Sequence, residues 1–110
     1  MTSFLFSYGT LQNPKVQLEL FGRLLKGEKD CLRGYKLGTV AIRDEKVLAT
    51  SELPYHLIAI PGNENDFVDG VVLELIQGEI IRADTYETED YQRIEVKLGS
   101  GKISWVYVAV

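Results

Sequence analysis

The chain begins with a buried strand that runs into a glycine-containing turn and then a helix. Apolar residues occupy positions 4–6, and Asn13 with Pro14 forms a typical helix start. The turn between them consists of Tyr8, Gly9, Thr10 and Leu11. Successive N–H groups in such a turn can point at one anionic oxygen, and the helix adds its positive end. The turn therefore predicts an anion site, although an ordinary strand-to-helix connection has the same pattern.

The rest of the chain has a strand-dominated pattern. A helical period of apolar residues runs from Pro14 until Gly27 ends it, and its Leu and Phe stripe is expected in the core. Strand-like segments follow at 28–43, 56–60, 68–76, 91–98 and 103–108, with a short helix at 78–87. Gly34 and Gly38 interrupt the first of these strands, and Gly70 indicates a bulge or a close approach. The predicted fold is α+β, with a small mixed or antiparallel β-barrel flanked by two short helices.

Composition excludes several classes of function. The 110 residues form one predicted domain, 1–110, and a net charge of -4 disfavours a broad nucleic-acid-binding face. No apolar run approaches the roughly 20 residues that cross a bilayer, and the N-terminus does not resemble a signal peptide. Cys31 is the single cysteine, so an internal disulfide is impossible and a cytoplasmic location is expected. Cys31 and the single histidine, His56, cannot form the usual zinc shells; we expect no metal, and we expect both residues to be packed or partly exposed.

A second segment gives the N-terminal turn its significance. Residues 83–87 read Ala-Asp-Thr-Tyr-Glu, and Tyr91 and Arg93 follow shortly after. An acid such as Glu87 at the C-terminal end of a helix opposes the helix dipole. A residue that is unfavourable for its helix indicates a functional position. The alternative interpretation is an ordinary carboxylate exposed to solvent. For Asp84 we expect a structural role, with hydrogen bonds to nearby backbone.

Together these segments resemble the gamma-glutamylcyclotransferase-like family, which includes AIG2-like proteins and gamma-glutamylamine cyclotransferases. The similar segments, in order, are 6–11, 32–37, 68–75, 84–87 and 105–107. Two positions depart from the family pattern. Ala83 stands where Leu is usual, which predicts a change in packing, and Thr88 stands where Gly is common, which affects the expected substrate range more than the chemistry.

The resemblance implies a mixed β-barrel flanked by helices and an enzyme that converts a γ-glutamyl amide to 5-oxoproline and a free amine. The family's catalytic Glu corresponds to Glu87, and its substrate-binding loop corresponds to residues 8–11. Because nucleophile and carbonyl belong to one substrate molecule, this chemistry requires no Ser or Cys nucleophile and no cofactor.

The predicted site follows from this chemistry. Glu87 is the expected general acid/base, and Tyr86 and Tyr91 are expected to form a half-apolar wall that raises its pKa. The N–H groups of the loop would bind either the oxyanion or the substrate's α-carboxylate, and the sequence leaves open which. Arg93 is a candidate partner for that carboxylate or, alternatively, for a surface acid. The predicted substrate-binding residues are Tyr8, Gly9, Thr10, Leu11, Tyr91 and Arg93. Trp105 and Tyr107 are expected in the core or in the pocket wall.

Two other functions remain open at this point. One is a non-catalytic module that binds or senses a small carboxylate in the same pocket. The other is a related lyase that acts on a γ-glutamyl group carried by a biosynthetic intermediate. The expected partner is a small-molecule γ-glutamyl substrate, with no nucleic acid and no membrane. The amine released, which loops 44–54 and 61–66 would help select, and the oligomeric state are left open.

Overall fold

A computed structural model describes residues 2–41, 55–76, 78–87 and 89–110. The strands in these ranges are β1 (Thr2–Ser7), β2 (Gly27–Arg33), β3 (Tyr35–Ala41), β4 (Tyr55–Pro61), β5 (Phe67–Ile76), β6 (Tyr91–Lys97) and β7 (Ile103–Ala109). The helices are α1 (Pro14–Phe21) and α2 (Glu79–Tyr86), and a short 3-10 helix, Thr10–Gln12, connects β1 to α1. Loop 44–54 lies outside the described residues.

Five of the strands form one mixed sheet in the order β2-β5-β1-β7-β6. β1 is parallel to β7, with Leu5 opposite Trp105, and the other neighbours in this sheet are antiparallel. β3 and β4 form a separate antiparallel pair, which we call the β3–β4 hairpin. The predicted α+β class with a mixed sheet and two short helices is therefore confirmed.

The pairings among the described strands do not close the predicted barrel. Gly34, with φ +81°, turns the chain out of β2 and into the hairpin, so β3 does not extend the larger sheet. That sheet is nevertheless curled, because the Gly99 N–H after β6 donates to the Cys31 carbonyl of β2 at 2.9 Å. The two edge strands of the five-stranded sheet thus meet at one end.

β1 is the centre of the molecule and is covered on both faces. Leu5 and Phe6 are fully buried, and because successive side chains of a strand point to opposite faces, they belong to different core clusters. The Phe6 cluster also contains Leu32 and Val106. The Leu5 cluster includes Phe21 of α1 and Ala83 of α2, so both helices pack on that face.

The first helix begins as predicted but ends earlier. The Asn13 side chain accepts a hydrogen bond from the Lys15 N–H, and Pro14 is the first helical residue. The predicted end at Gly27 is wrong, because Gly22 takes the left-handed conformation with φ 71° and ends the helix there. Leu18 and Leu24 are 52% and 58% exposed, so these members of the apolar stripe are not core residues.

Gly70 is a point of close approach, as predicted, and not a bulge. It lies in regular register opposite Asp30, and a Cβ built on it would clash with the Ser7 carbonyl oxygen and the Phe6 ring. In the described ranges, no helix is long and apolar enough to cross a membrane, and no three His, Cys, Asp or Glu side chains are grouped to hold a metal ion.

Candidate active site

A cavity of about 510 Å³ lies between the end of β1, the β3–β4 hairpin and the C-terminal end of α2. Six of the seven predicted site residues line it: Tyr8, Gly9, Thr10, Leu11, Glu87 and Tyr91. Two segments that are far apart in the sequence therefore form one concave surface. Of the lining residues that the structure describes, none is lysine or arginine, and Glu87 is the single carboxylate.

The loop of residues 8–11, which we call the 8–11 loop, turns directly from β1 into the 3-10 helix. The first bonds of that helix run from the Gln12 N–H to Gly9 and from the Asn13 N–H to Thr10, at 3.1 and 2.9 Å. The N–H groups of Thr10 and Leu11 precede these bonds and take no part in them. A Cβ on Gly9 would meet no atom within 4 Å, so this glycine leaves open space at the cavity wall.

The loop is fastened to α1 by a buried glutamine. Gln17 donates from Nε2 to the Leu11 carbonyl at 2.8 Å, and its Oε1 accepts from the Leu25 N–H at 2.9 Å. Leu11 itself is buried in the Leu5 cluster. The cavity wall formed by the loop is therefore held from behind by side-chain hydrogen bonds and packing.

The two predicted motifs are joined by one hydrogen bond. The hydroxyl groups of Thr10 in the loop and Tyr86 in α2 lie 2.9 Å apart. This bond connects the last residue of α2 to the turn that follows β1. The geometry of the cavity thus depends on both segments at once.

The hydroxyl groups of Tyr8 and Tyr91 also have partners within the protein. Tyr8 donates to the Tyr107 carbonyl at 2.6 Å and accepts from the Ala59 N–H at 2.9 Å. Tyr91 donates to the Leu57 carbonyl at 2.7 Å. Burial raises the pKa of Tyr8 and of Tyr91 above the usual value, so both remain neutral. These rings present aromatic carbon to the cavity, while their hydroxyl groups hold neighbouring strands.

Glu87 is the first residue beyond α2. Its N–H donates to the Ala83 carbonyl at 3.0 Å, and its extended backbone turns the chain out of the helix. Its carboxylate lines the cavity and receives no hydrogen bond from any residue the structure describes. Burial, and then the negative charge of Asp84, raises the pKa of Glu87 to about 7. The carboxyl group therefore holds its proton to higher pH than an exposed glutamate does.

Arg93 lies outside the cavity wall and pairs with an acid, which was the alternative to the predicted contact with substrate. Its Nε and Nη2 atoms donate to the two carboxylate oxygens of Asp84 at 2.7 and 2.9 Å, and the guanidinium group stacks on the Trp105 ring. Tyr107 also donates to Asp84, at 2.6 Å. Asp84 is structural, as expected, but its partners are side chains of β6 and β7 and not nearby backbone.

Sequence analysis missed His56, which lines the cavity from β4. Its Nε2 atom is buried and has no hydrogen-bond partner within the described part of the chain. Burial lowers the pKa of His56, so the ring is neutral at pH 7. Nothing in the sequence indicates that His56 belongs to the site, because no motif shows which strand faces the 8–11 loop. Tyr55 and Leu57 reach the cavity from the same strand.

Comparison with known proteins decides the family. A sequence profile of the family described as gamma-glutamyl cyclotransferase, AIG2-like, matches residues 5–110. The chain belongs to this family. No curated protein matches the sequence.

Solved structures of low sequence identity share the fold. Two Arabidopsis thaliana proteins with solution structures align with TM-scores of 0.76 and 0.74 at 22% and 20% identity; they cover 100% and 99% of this chain. A gamma-glutamyl cyclotransferase aligns over 100% of the chain with a TM-score of 0.76 at 16% identity. The chain spans 63%, 69% and 68% of the lengths of these three proteins, in that order.

The structure describes one of the two positions that depart from the family pattern. Ala83, which stands where the resemblance predicts Leu, is fully buried in the Leu5 cluster. Its small side chain lies where α2 packs on the sheet, in keeping with the predicted packing change. Thr88 lies outside the described residues.

Proposed function

We propose that this member of the family is a cyclotransferase that converts a γ-glutamyl amine or γ-glutamyl amino acid into 5-oxoproline and a free amine. Glu87 is the general acid/base, and the 8–11 loop binds the substrate. The observation that carries the proposal is the Glu87 carboxyl group, which stands without a hydrogen-bond partner among the described residues at the wall of a cavity of about 510 Å³. Because the hydroxyl groups of Tyr8 and Tyr91 already have partners within the protein, we propose that these residues contact the substrate through their aromatic rings.

The acidity of Glu87 suits a proton transfer from the substrate amine. An α-amino group has a pKa of about 8, nearly 4 units above an ordinary Glu, and that gap opposes proton transfer by roughly 5 kcal/mol. With the pKa of Glu87 at about 7, the gap falls to about one unit, or about 1.4 kcal/mol. A base with a pKa near the working pH is also the most effective one.

The reaction balances with one carboxylate and no other reagent. The substrate's α-amine forms a bond to its own γ-carbonyl carbon, and Glu87 takes a proton from that nitrogen. The bond from this carbon to the leaving nitrogen then breaks, and Glu87 returns the proton to the departing amine. Holding amine and carbonyl in one folded conformer is worth roughly 7–11 kcal/mol. The N–H groups of Thr10 and Leu11 are suitable donors to the oxyanion or to the α-carboxylate.

The test is release of 5-oxoproline from a panel of γ-glutamyl amines and γ-glutamyl dipeptides. Glu87→Gln keeps the size of the side chain and removes the base, so we expect kcat/KM to fall by about 10²–10⁴-fold. Glu95→Gln, which removes an exposed carboxylate from β6, is the matched control and should match the parent. Turnover by Glu87→Gln at the parent rate would rule out Glu87 as the base.

The pH profile gives a second readout of the same proposal. Glu87 must be ionised to accept the amine proton, so kcat/KM should fall as pH drops below about 7.

A carboxylate-binding module that does no chemistry would instead bind members of the panel and release no amine from any of them.

A further inference from the structure

Asp84 lies on α2 three residues before Glu87, and the reaction proposed above makes no direct use of it. Its carboxylate accepts three hydrogen bonds, two from Arg93 and one from Tyr107, at 2.6–2.9 Å. Burial opposes ionisation of Asp84, but these bonds outweigh it and hold its pKa below the usual range. Asp84 is therefore a fixed negative charge at neutral pH.

The donors to Asp84 fasten the C-terminal end of α2 to the sheet. Arg93 lies on β6 and Tyr107 on β7, and the two strands are antiparallel neighbours with these residues directly opposite each other. Asp84 precedes Glu87 by three residues, within the last turn of α2. The last turn has no basic side chain, so nothing local compensates for acids at the negative end of the helix dipole. The bonds to Asp84 supply a tertiary compensation instead.

The negative charge of Asp84 also affects the protonation of Glu87. The Arg93 guanidinium lies over the Trp105 ring at 4.5 Å from its centroid and does not line the cavity. Asp84 lies three residues before Glu87, at the end of α2, and its negative charge adds to the effect of burial in raising the pKa of Glu87. The other titratable groups that line the cavity with Glu87 are Tyr8 from the 8–11 loop, Tyr55 and His56 from β4, Tyr86 from α2, Tyr91 from β6 and Tyr107 from β7, and Asp90 precedes Tyr91. Burial keeps Tyr8, Tyr86, Tyr91, Tyr107 and His56 neutral at pH 7.

We propose that Asp84 is a positioning residue for Glu87: it anchors the end of α2 to β6 and β7 and keeps a negative charge beside the catalytic carboxyl group. The inference rests on the proposed function, because it assigns Asp84 a part in the same reaction. It predicts two separable effects, one on the position of Glu87 and one on its protonation.

The charge effect is tested with Asp84→Asn. Removing the negative neighbour makes ionisation of Glu87 easier, so Glu87 should titrate about 0.5–1 unit lower than in the parent. The readout is ¹³C NMR of the Glu87 carboxyl carbon between pH 4 and 9, together with the acid limb of kcat/KM, which should move the same way. Glu95→Gln removes an exposed charge from β6 and should leave both unchanged. Equal Glu87 titration in Asp84→Asn and the parent would overturn the charge effect.

The anchoring effect is tested with Arg93→Lys, which also serves if Asp84→Asn fails to fold. Lysine keeps the positive charge but lacks the planar fork with which arginine makes two parallel bonds to the carboxylate. We expect kcat to fall about 3–10-fold with KM and the acid limb nearly unchanged, because Asp84 keeps its charge. An unchanged kcat would overturn the anchor. If no γ-glutamyl compound is turned over by the parent, the proposed function fails, while the NMR titration still decides whether Asp84 acts on Glu87.

Discussion

Glu87 illustrates a conflict between stability and proposed function at a single residue. The cavity places its carboxyl group where burial and Asp84 disfavour the charged form, and no described residue donates a hydrogen bond to it. Such an arrangement makes a good base but a costly component of the folded state. The cost depends on pH, which makes it measurable.

Glu87→Gln should therefore stabilise the protein at high pH. The folded protein holds the Glu87 proton up to about pH 7, whereas the unfolded chain holds it only up to about 4.5. Stability consequently falls as pH rises through this window, and above pH 7 the difference between the two pKa values corresponds to about 3 kcal/mol. Urea denaturation should show a gain for Glu87→Gln at pH 8 and little change at pH 4. An equal change in stability at both pH values, or an equal gain in Glu95→Gln, would contradict the predicted cost of the Glu87 charge.

The residues that sequence analysis brought to the site were those within motifs. The 8–11 loop and Glu87 carry local signals, a glycine turn before a capped helix and an acid at a helix end, and these residues do line the cavity. His56 carries none, and Arg93 belongs to the second segment but does not line the cavity. Whether a histidine faces a cavity, or an arginine faces Asp84 instead of a ligand, depends on which strands are neighbours. A sequence pattern does not contain that information.

At the scale of elements, the packing of β5 on β1 depends on a missing side chain. Gly70 lies where a Cβ would clash with the Ser7 carbonyl oxygen and come within 2.6 Å of Phe6 Cζ. Because Phe6 is 1% exposed and packed on all sides, it cannot move aside without disturbing the core.

Gly70→Ala should consequently destabilise the fold by about 1–3 kcal/mol or more. Gly38→Ala is the matched control: it is also a strand glycine, but the nearest atoms to its added Cβ lie at 3.5–3.8 Å, an ordinary contact distance. We expect the control to be neutral or slightly stabilising. Urea denaturation of the two variants measures the difference, and similar midpoints would show that β1 and β5 can separate without loss.

Element boundaries were less predictable than element types. The apolar period that begins at Val16 continues through Leu25, so the pattern alone extends the helix to Gly27. The chain stops the helix at Gly22 because that glycine adopts φ 71°. Both glycines are candidates in the sequence for the end of a helix. Leu24, between them, is exposed, so packing against the sheet does not favour a longer helix.

On the scale of the whole molecule, tyrosine hydroxyl groups hold the β3–β4 hairpin against the larger sheet. Tyr8 of the 8–11 loop bonds the Ala59 N–H of β4, and Tyr91 of β6 bonds the Leu57 carbonyl of the same strand. The sequence predicted the strands but not this division into two sheets. A curled sheet and a closed barrel both require strands in which apolar and polar residues alternate. They differ in whether the edge strands of the sheet pair with each other.

Tyr8→Phe should loosen this junction. The ring remains in the Phe6 cluster, but the Ala59 N–H is left buried without its acceptor, at a cost of about 1–3 kcal/mol. Tyr35→Phe is the control, since the Tyr35 hydroxyl makes no hydrogen bond to other described residues. Thermal and urea unfolding should separate the two variants. Equal stability would mean that water replaces the lost hydroxyl group.

The parallel pairing of β1 with β7 has a consequence for when the site can form. The central strand of the sheet finds one of its two partners only among residues 103–109, and that partner carries Tyr107, a wall of the cavity. Contacts between such distant parts of a chain form late and slowly. While the ribosome is still synthesising the protein, β1 therefore has one open edge, and the cavity that we propose as the substrate site lacks one of its walls until β7 has emerged.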